Sequence, residues 1–424
     1  MTDAAAVSQT AGQTPAQTAA ERRRWLLLGL IIFAGILNYV DRQVIAVLKP
    51  IIEQDMGWSD ADYGRLASLF QFSAAIAFLF TGGIVDKLGV KWAAPVGVAT
   101  WSLAAMAHGG ANTMLQFSAA RVALGATESM GTPSYVKTIG ALFSARMRSV
   151  AFGISNGASN VGAIVTPLLL PLLSAVVGWR ASFVVVGALG FLWVALWFVS
   201  TRGLQLAPDK PVEVAGRPTG KIGLKVLLSD RRTWGVAGAK ALSDQVWWLL
   251  LFWAPDFFHR VFHVGMHDIG KPLAVVYGFA AVGSVFSGWI ASRLLARGLS
   301  INTVRKGSML VCALLVTPVP LAVLVDNYWL AVLLLGLTLA AHQGFSTNMF
   351  ATIADITPKD RVGSVTSFGA FCGNLAGMGI VLLAGELLQR GAGYLPLLAI
   401  AAVSYLIAVA WLQVFVPRLE TAQA

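Results

Sequence analysis

Apolar runs long enough to cross a membrane recur along the whole chain, and they limit its fold more than any single residue does. Spans are expected at 25–48, 61–85, 92–110, 114–137, 149–172, 178–200, 233–258, 271–295, 307–325, 329–352, 363–388 and 392–416. A hydrocarbon core about 30 Å thick needs about 20 helical residues to cross it. Only helices and closed barrels satisfy every backbone group in lipid, and unbroken apolar runs exclude the alternating strands of a barrel. The pattern predicts an all-α integral membrane protein with twelve transmembrane helices. Composition agrees: 12% of the 424 residues are charged, against about 25% in an ordinary soluble domain.

One long polar segment, Thr201–Arg232, carries Pro208, Pro211 and Pro218 and divides the spans six and six. It reads as a cytoplasmic linker (201–232) between two six-helix bundles, 25–200 and 233–416. Residues 1–24 are expected to be a disordered cytoplasmic N-terminus, rich in Ala, Gln and Thr over 1–20, and 417–424 a short cytoplasmic tail. The first apolar run is long enough to span and lacks a small-residue cleavage site, so no cleaved signal is expected. A net charge of +11 raises the question of nucleic acid, but the basic residues lie in alternate loops: Arg22–Arg24, Lys87/Lys91, Arg146/Arg148, Arg231/Arg232, Arg293/Arg297, Arg305/Lys306 and Lys359/Arg361. That is the positive-inside pattern, with both termini in the cytoplasm and a lipid bilayer, not nucleic acid, as partner. Cys312 and Cys372 both fall in apolar spans, so no disulfide framework or metal-ligand spacing exists, and neither cofactor nor metal is expected.

The halves look related. Gly82-Gly83-Ile-Val-Asp86-Lys87-Leu-Gly89-Val-Lys91 follows the second span, and Gly288-Trp-Ile-Ala-Ser-Arg293-Leu-Leu-Ala-Arg297-Gly298 follows the eighth. Ser149-Val150 and Asn160-Val-Gly162 in the fifth span answer Ser364-Val365 and Asn374-Leu-Ala-Gly377 in the eleventh. Such correspondences suggest parallel repeats, as in transporters of two six-helix halves.

Charged residues inside the spans point to function. One costs roughly 2.5–3.5 kcal/mol at a helix centre on insertion scales, and such residues normally face a bundle interior or a wet path. Asp41 and Arg42 are adjacent in the first span. They read either as a self-neutralised packing pair or as a proton-carrying Asp beside an Arg that senses its charge. Arg121 and Glu128 lie two turns apart on one helix face, about 10 Å along the axis, with Arg121 level with Asp41 and Glu128 deeper. They read as an internal pair bridged by water or as part of a proton relay. Lys240 and Asp244, at i and i+4, are either an intrahelical pair or a substrate contact or gate. Trp247 and Trp248 suit a sugar-stacking platform or core packing equally. Asn156, Ser159 and Asn160, with Gln71, Gln343, Ser346, Asn348 and Asn374, can bond across helices or donate and accept to a polyhydroxylated ligand. His342 reads as a satisfied buried histidine.

The Gly83…Asp86-Lys87-Leu-Gly89…Lys91 loop resembles the signature of the major facilitator superfamily, and the likeness runs over 22–418. Asn38-Tyr39-Val-Asp41-Arg42-Gln43, Gly57-Trp58-Ser-Asp60-Ala-Asp62-Tyr63-Gly64, Arg121…Glu128, Ser155-Asn156-Gly-Ala-Ser159-Asn160-Val-Gly162, Asp244-Gln-Val-Trp247-Trp248 and His342-Gln343-Gly-Phe-Ser346-Thr-Asn348 are similar to the anion:cation symporter family, in particular its bacterial hexuronate and aldonate transporters. The resemblance implies that Asp41 carries a proton, that Tyr39 touches substrate, and that Glu128 is a second protonatable site with Arg121 as its regulator. Gly83, Asp86, Lys87 and Gly89 would form a conformational latch, with Asp86 capping or pairing across the interface of the halves. Two positions depart from that pattern: Ala74 stands where relatives often have Tyr, and Phe350 where some aldonate transporters carry Trp.

The expected function is proton-coupled symport of a small organic anion, a sugar acid such as a hexuronate or aldonate, by a monomer in the bacterial inner membrane. The substrate carboxylate would meet Arg42 or Lys240. Import of an aromatic or tricarboxylic acid, or export of an organic acid, is the alternative. An enzyme is disfavoured: His259, His263 and His267 have i/i+4 spacing but no motif of a known metalloenzyme.

Overall fold

The computed structural model describes residues 15–143, 145–203, 224–357 and 362–419, and their regular structure is helical throughout. α1 (Pro15–Val47) is the first span, and α2 (Lys49–Met56) is a short helix across one end of the bundle. α3 (Asp60–Gly110) holds the second and third spans. α4 (Met114–Glu128) and α5 (Gly131–Leu142) share the fourth. α6 (Ala145–Ser200) holds the fifth and sixth. α7 (Leu224–Ser229) leads into α8 (Arg231–Phe262), the seventh. α9 (Gly270–Ala296) is the eighth, and α10 (Ile301–Val316) with a 3-10 turn at Val319–Val323 is the ninth. α11 (Tyr328–Ile356), α12 (Val362–Gln389) and α13 (Leu395–Phe415) complete twelve. Eight of these helices are individually long and apolar enough to cross a membrane, α3 and α6 being double. Their outer faces expose Leu79, Phe80, Leu115, Val176, Val285 and Val414, a surface that suits lipid.

Glycine folds the double helices. Gly89 (φ 71, ψ 172) reverses α3 and Gly178 (φ 80, ψ 163) reverses α6, in a region of backbone space closed to most side chains. Gly298, the counterpart of Gly89 in the second half, is also at positive φ. The entry to the second span is fixed locally. Gly57 closes α2 in the left-handed conformation. Ser59 then forms a capping box, its hydroxyl accepting from the Asp62 amide while the Asp62 carboxylate accepts from the Ser59 amide.

The N-terminal expectation needs correcting. Positions 15–24, expected to be disordered, are helical and continuous with the first span. Ala, Gln, Glu and Arg are good helix formers, and the Arg23 side chain ties the segment to the end of α6, donating to Ser200 O at 2.9 Å and to Arg202 O. Residues 1–14 and most of the linker, 204–223, lie outside the described residues. The last part of the linker forms α7. The start of the tail is held by Lys306, whose ammonium donates to Val416 O and Pro417 O.

The first six spans pack on one another, as do the last six. The halves meet where α3 lies along α12, α6 along α9 and α1 along α8. Among the described residues, polar contacts joining the halves gather at the α2 end. Lys49 Nζ donates to Glu53 Oε2 (2.8 Å), Asp60 Oδ1 (2.9 Å) and, across the interface, Asp256 Oδ1 (2.7 Å). Arg260 donates both terminal nitrogens across the interface to Asp60 at 2.9 and 2.7 Å, and within the second half the Tyr394 hydroxyl donates to Asp256. Tyr63 bonds Phe252 O at 2.7 Å and Ser68 bonds Met378 O at 3.2 Å. Backbone meets backbone at Gly64, where an added Cβ would lie 3.0 Å from Gly385 Cα. This end is closed.

Candidate functional site

Neighbouring residues on a helix point about 100° apart, so Asp41 and Arg42 cannot pair face to face. Arg42 instead crosses to α4, its Nε 2.6 Å from Glu128 Oε2. The direct ion pair joins Arg42 to Glu128, while Arg42 stays within electrostatic reach of Asp41 and Arg121 within reach of both Asp41 and Glu128. The axial gap within α4 is real, but the Arg42 side chain reaches the last residue of α4 from α1, which packs on α5 and α6. The Arg42 side chain is 16% exposed while that of Glu128 is wholly enclosed. The guanidinium carbon lies 5.5 Å from the ring centroids of Tyr39 and Phe70, and 5.8 Å from that of Trp248 in the other half. Aromatic rings from both halves thus surround one cation.

Arg121 is fully buried, 5.2 Å above the Phe70 ring. It and Glu128 are within electrostatic reach of Asp41. Gly125 makes this possible, since a Cβ there would run into Phe70 O and Ser73 Oγ, so α3 and α4 touch at their backbones. Gly162 does the same for α6 against α1: its Cβ would lie 2.5 Å from Ile36 O and 2.7 Å from Tyr39 Cβ. The three Arg121 side-chain nitrogens, Asp41 Oδ1, Tyr135 Oη and both polar atoms of Gln71 are buried without a hydrogen-bond partner among the described residues, while the Asn38 amide interacts with the Glu128 carboxylate. An unpaired buried polar group costs about 1–3 kcal/mol, more if charged. So many of them among the N-terminal spans make a site that water or a polar ligand must satisfy.

In the second half, Lys240 and Asp244 form the i,i+4 pair at 2.8 Å, and Lys240 Nζ also sits 4.8 Å above the Phe350 ring. Trp247 stacks on His342 at 5.3 Å and meets Tyr39 edge-on at 6.5 Å, a contact between halves. His342 is a satisfied buried histidine, bonded to the Tyr405 hydroxyl at 2.6 Å. The amides divide. Gln343 and Ser346 are half-buried and Asn160 is buried. Asn374 bonds Ala370 O of its own helix at 2.8 Å. Asn348 is buried at the seam of α9 and α11, its amide nitrogen donating to Ser287 Oγ (2.8 Å) and Gly344 O (3.0 Å), while its Oδ1 has no hydrogen-bond partner among the described residues. Asn156 and Ser159 lie on α6, and their side chains fall outside the described residues.

The expected latch is also arranged differently. Asp86 pairs with Lys137 of its own half at 3.1 Å, not across the interface, while Gly83 and Lys87 are exposed and Gly89 is the hinge. The three histidines at the end of the seventh span do not converge: His259, in the last turn of α8, bonds Val264 O, His263 caps α8 and His267 is exposed. Among the described residues, one acidic trio has metal-like spacing, Glu53, Asp60 and Asp256, and the Lys49 ammonium fills it.

Residue spacing did not reveal Tyr135, Asn38 or the Lys49–Asp60–Asp256–Arg260 cluster. Asn38 was within reach of a helical wheel, being at i−4 from Arg42 on one face. Tyr135 lies beyond the break at Ser129–Met130, which ends any helical register from Glu128. The cluster joins positions some 200 apart.

Twelve spans in two halves, closed at one end and enclosing membrane-embedded charges, are the architecture of a membrane transporter. The chain belongs to the Major Facilitator Superfamily, whose family model matches residues 31–380. It is 27% identical to the probable L-galactonate transporter of Escherichia coli (strain K12) over 82% of this chain and 80% of that protein. It is 24% identical to the hexuronate transporter of the same strain over 90% and 91%. Among solved structures, a bacterial homolog of the human lysosomal transporter Spinster, inward-facing and unoccupied, superposes with a TM-score of 0.68 at 19% identity, covering 96% of both chains. The protein is a transporter with sugar-acid transporters among its relatives, and not an enzyme.

Proposed function

We propose that the protein is a proton-coupled symporter of a small sugar-acid anion, a hexuronate or aldonate, working by alternating access in the bacterial inner membrane. The observation that carries this reading is the Arg42–Glu128 contact at 2.6 Å. A substrate carboxylate and Glu128 compete for one guanidinium. A proton on Glu128 removes its charge and releases Arg42 to the anion, so anion binding and proton loading favour each other. Asp41, with Arg121 and Glu128 in range, is the second proton carrier. Tyr39, Phe70, Trp247 and Trp248 offer ring faces to a sugar, and Gln71, Asn160, Gln343 and Ser346 offer hydrogen bonds to its hydroxyls. Lys240 is a second anchor for a carboxylate, released when Asp244 yields it.

With the basic loops and both termini in the cytoplasm, the closed α2 end is periplasmic and the structure represents the state that releases substrate inward. Rocking of the halves would open the α2 end and close the other. The carriage of sugar acids by the relatives named above supports the substrate class, and aromatic or tricarboxylic acids are the competing class. Proteoliposomes with an imposed pH gradient test both points. Uphill uptake of labelled galactonate or glucuronate, inhibited by other sugar acids and not by citrate or benzoate, is expected. Uptake indifferent to the gradient would remove proton coupling, and inhibition by citrate or benzoate instead would move the substrate to the competing class.

A further inference from the structure

The outer face of the second half carries a cavity that transport does not use. It is a groove of about 450 Å³ between α9, α10 and α11, lined by Phe279, Val282 and Ile290 of α9, Val311 and Leu315 of α10, and Leu337 of α11. At ~30 Å³ per water this is about fifteen water volumes, room for a fatty acyl chain. Its floor at Gly307 is open, with nothing within 4 Å of where a Cβ would stand. The groove runs to the turn between α9 and α10, on the side of the basic loops. There Arg293 and Arg297 follow Ile290 of the groove wall at helical spacings of three and seven, which keeps them on its face. Both arginines are exposed, and Arg293 lies 4.1 Å above the Trp289 ring, which in turn stacks on Phe286. An apolar slot ending in two cations beside an aromatic pair has the polarity of a lipid: chain below, anionic headgroup above. A second copy of this chain fits poorly, since facing rims would set like charges together.

We propose that this groove is a site for one anionic phospholipid, its acyl chain between α9, α10 and α11 and its phosphate on Arg293 and Arg297. Basic pockets between spans on the cytoplasmic side are suited to such headgroups. The inference is independent of the substrate and of proton coupling. The test is native mass spectrometry of the full-length protein in detergent, titrated separately with phosphatidylglycerol and phosphatidylcholine. One phosphatidylglycerol is expected to be retained in preference to phosphatidylcholine, raising the melting temperature as a ligand of the folded state does. Arg293→Gln/Arg297→Gln is expected to lower phosphatidylglycerol retention by roughly an order of magnitude, to the level of phosphatidylcholine. Gly307→Trp, which fills the slot, is expected to lower retention of both. The double arginine variant changes only exposed side chains, so it keeps the proposal testable should Gly307→Trp misfold. Equal retention of the two lipids by the wild type, undiminished retention in the double variant, or a dimer mass protected by the same face would each overturn the proposal.

Discussion

Arg42 pairs with Glu128, and in the proposed mechanism the same guanidinium also takes the substrate carboxylate, two roles that single substitutions separate. Removing one member of a buried ion pair costs about 3–5 kcal/mol, but an amide keeps the shape and drops the charge. Glu128→Gln and Asp41→Asn are therefore expected to keep counterflow exchange of substrate while losing accumulation driven by a pH gradient; normal accumulation by both would take these residues out of the coupling role. Arg42→Lys keeps the charge but not the planar fork. Its expected effect is a KM about tenfold higher, ~1.4 kcal/mol, measured by initial rates in proteoliposomes, and an unchanged KM would move the substrate carboxylate to Lys240. Gly162 acts through position. With a Cβ 2.5 Å from Ile36 O, Gly162→Val must push α6 from α1, and overpacking of this kind costs about 1–3 kcal/mol. A lower melting temperature is expected, with a higher KM because Tyr39 moves with α1.

At the scale of elements, α2 closes one end of the molecule. Burial works against the charge on Lys49, yet Asp256, Glu53 and Asp60 outweigh it and its pKa is raised. For Glu53, burial is the largest influence and raises the pKa, with Lys49 working the other way and Asp60 and Asp256 adding to the rise. Three carboxylates, Glu53, Asp60 and Asp256, face two cations, Lys49 and Arg260, with the Tyr394 hydroxyl alongside. One proton on Glu53 neutralises the cluster. The sign follows from linkage: the closed arrangement holds that proton more tightly than an open one in which Glu53 is solvated. The Glu53 contribution to closure is thus fully present below its ordinary value of 4.5 and lost as pH rises through the raised one, whereas Asp60, for which burial is outweighed by Arg260 and Lys49 and the pKa is lowered, contributes above its ordinary value and loses that contribution only as pH falls through the lowered one. Spin labels at Gln54 and Arg390, on opposite halves, are expected to show a growing short-distance population on acidification, and Glu53→Gln to remove that dependence. A pH-dependence unchanged in Glu53→Gln would place the titrating group elsewhere. None of this was legible in the sequence, because α2 is too short and too polar to stand out and its partners are distant. The spans were legible because their lengths and apolarity are set by lipid. So was the Lys240–Asp244 pair, which is one helical turn apart. Arg42–Glu128 was not, since its separation of 86 residues is bridged by packing of α1 on the first half and not by any period. The hinges were half legible: Gly89 stood out in the loop after the second span, but the sign of its φ and the turn at Gly178 did not.

For the whole molecule, alternating access requires two closures of comparable free energy, one at each end, that exclude one another. The structure holds the closure at the α2 end. At the other end the described ion pairs stay within a half: Asp86 with Lys137, and Arg305 with Asp355. Asp86 keeps 77% of its side chain exposed, so it is accessible to a new partner when the halves rock together there. Weakening each end should then shift the same equilibrium in opposite directions. Lys49→Ala leaves three carboxylates facing one another around a buried position, and it is expected to open the α2 end and lengthen the Gln54–Arg390 distance. Asp86→Asn weakens the opposite closure and is expected to shorten the mean distance. Its effect is the smaller, because an exposed pair contributes about 0–1 kcal/mol, at most about a fivefold change in population. Both variants slow turnover, since a carrier held in either state completes fewer cycles, and the double variant should recover part of the rate by restoring the balance. Spin-label distances and initial uptake rates on the four proteins decide the matter. Shifts in the same direction, or a double variant slower than either single one, would mean that the two ends do not bias one shared equilibrium.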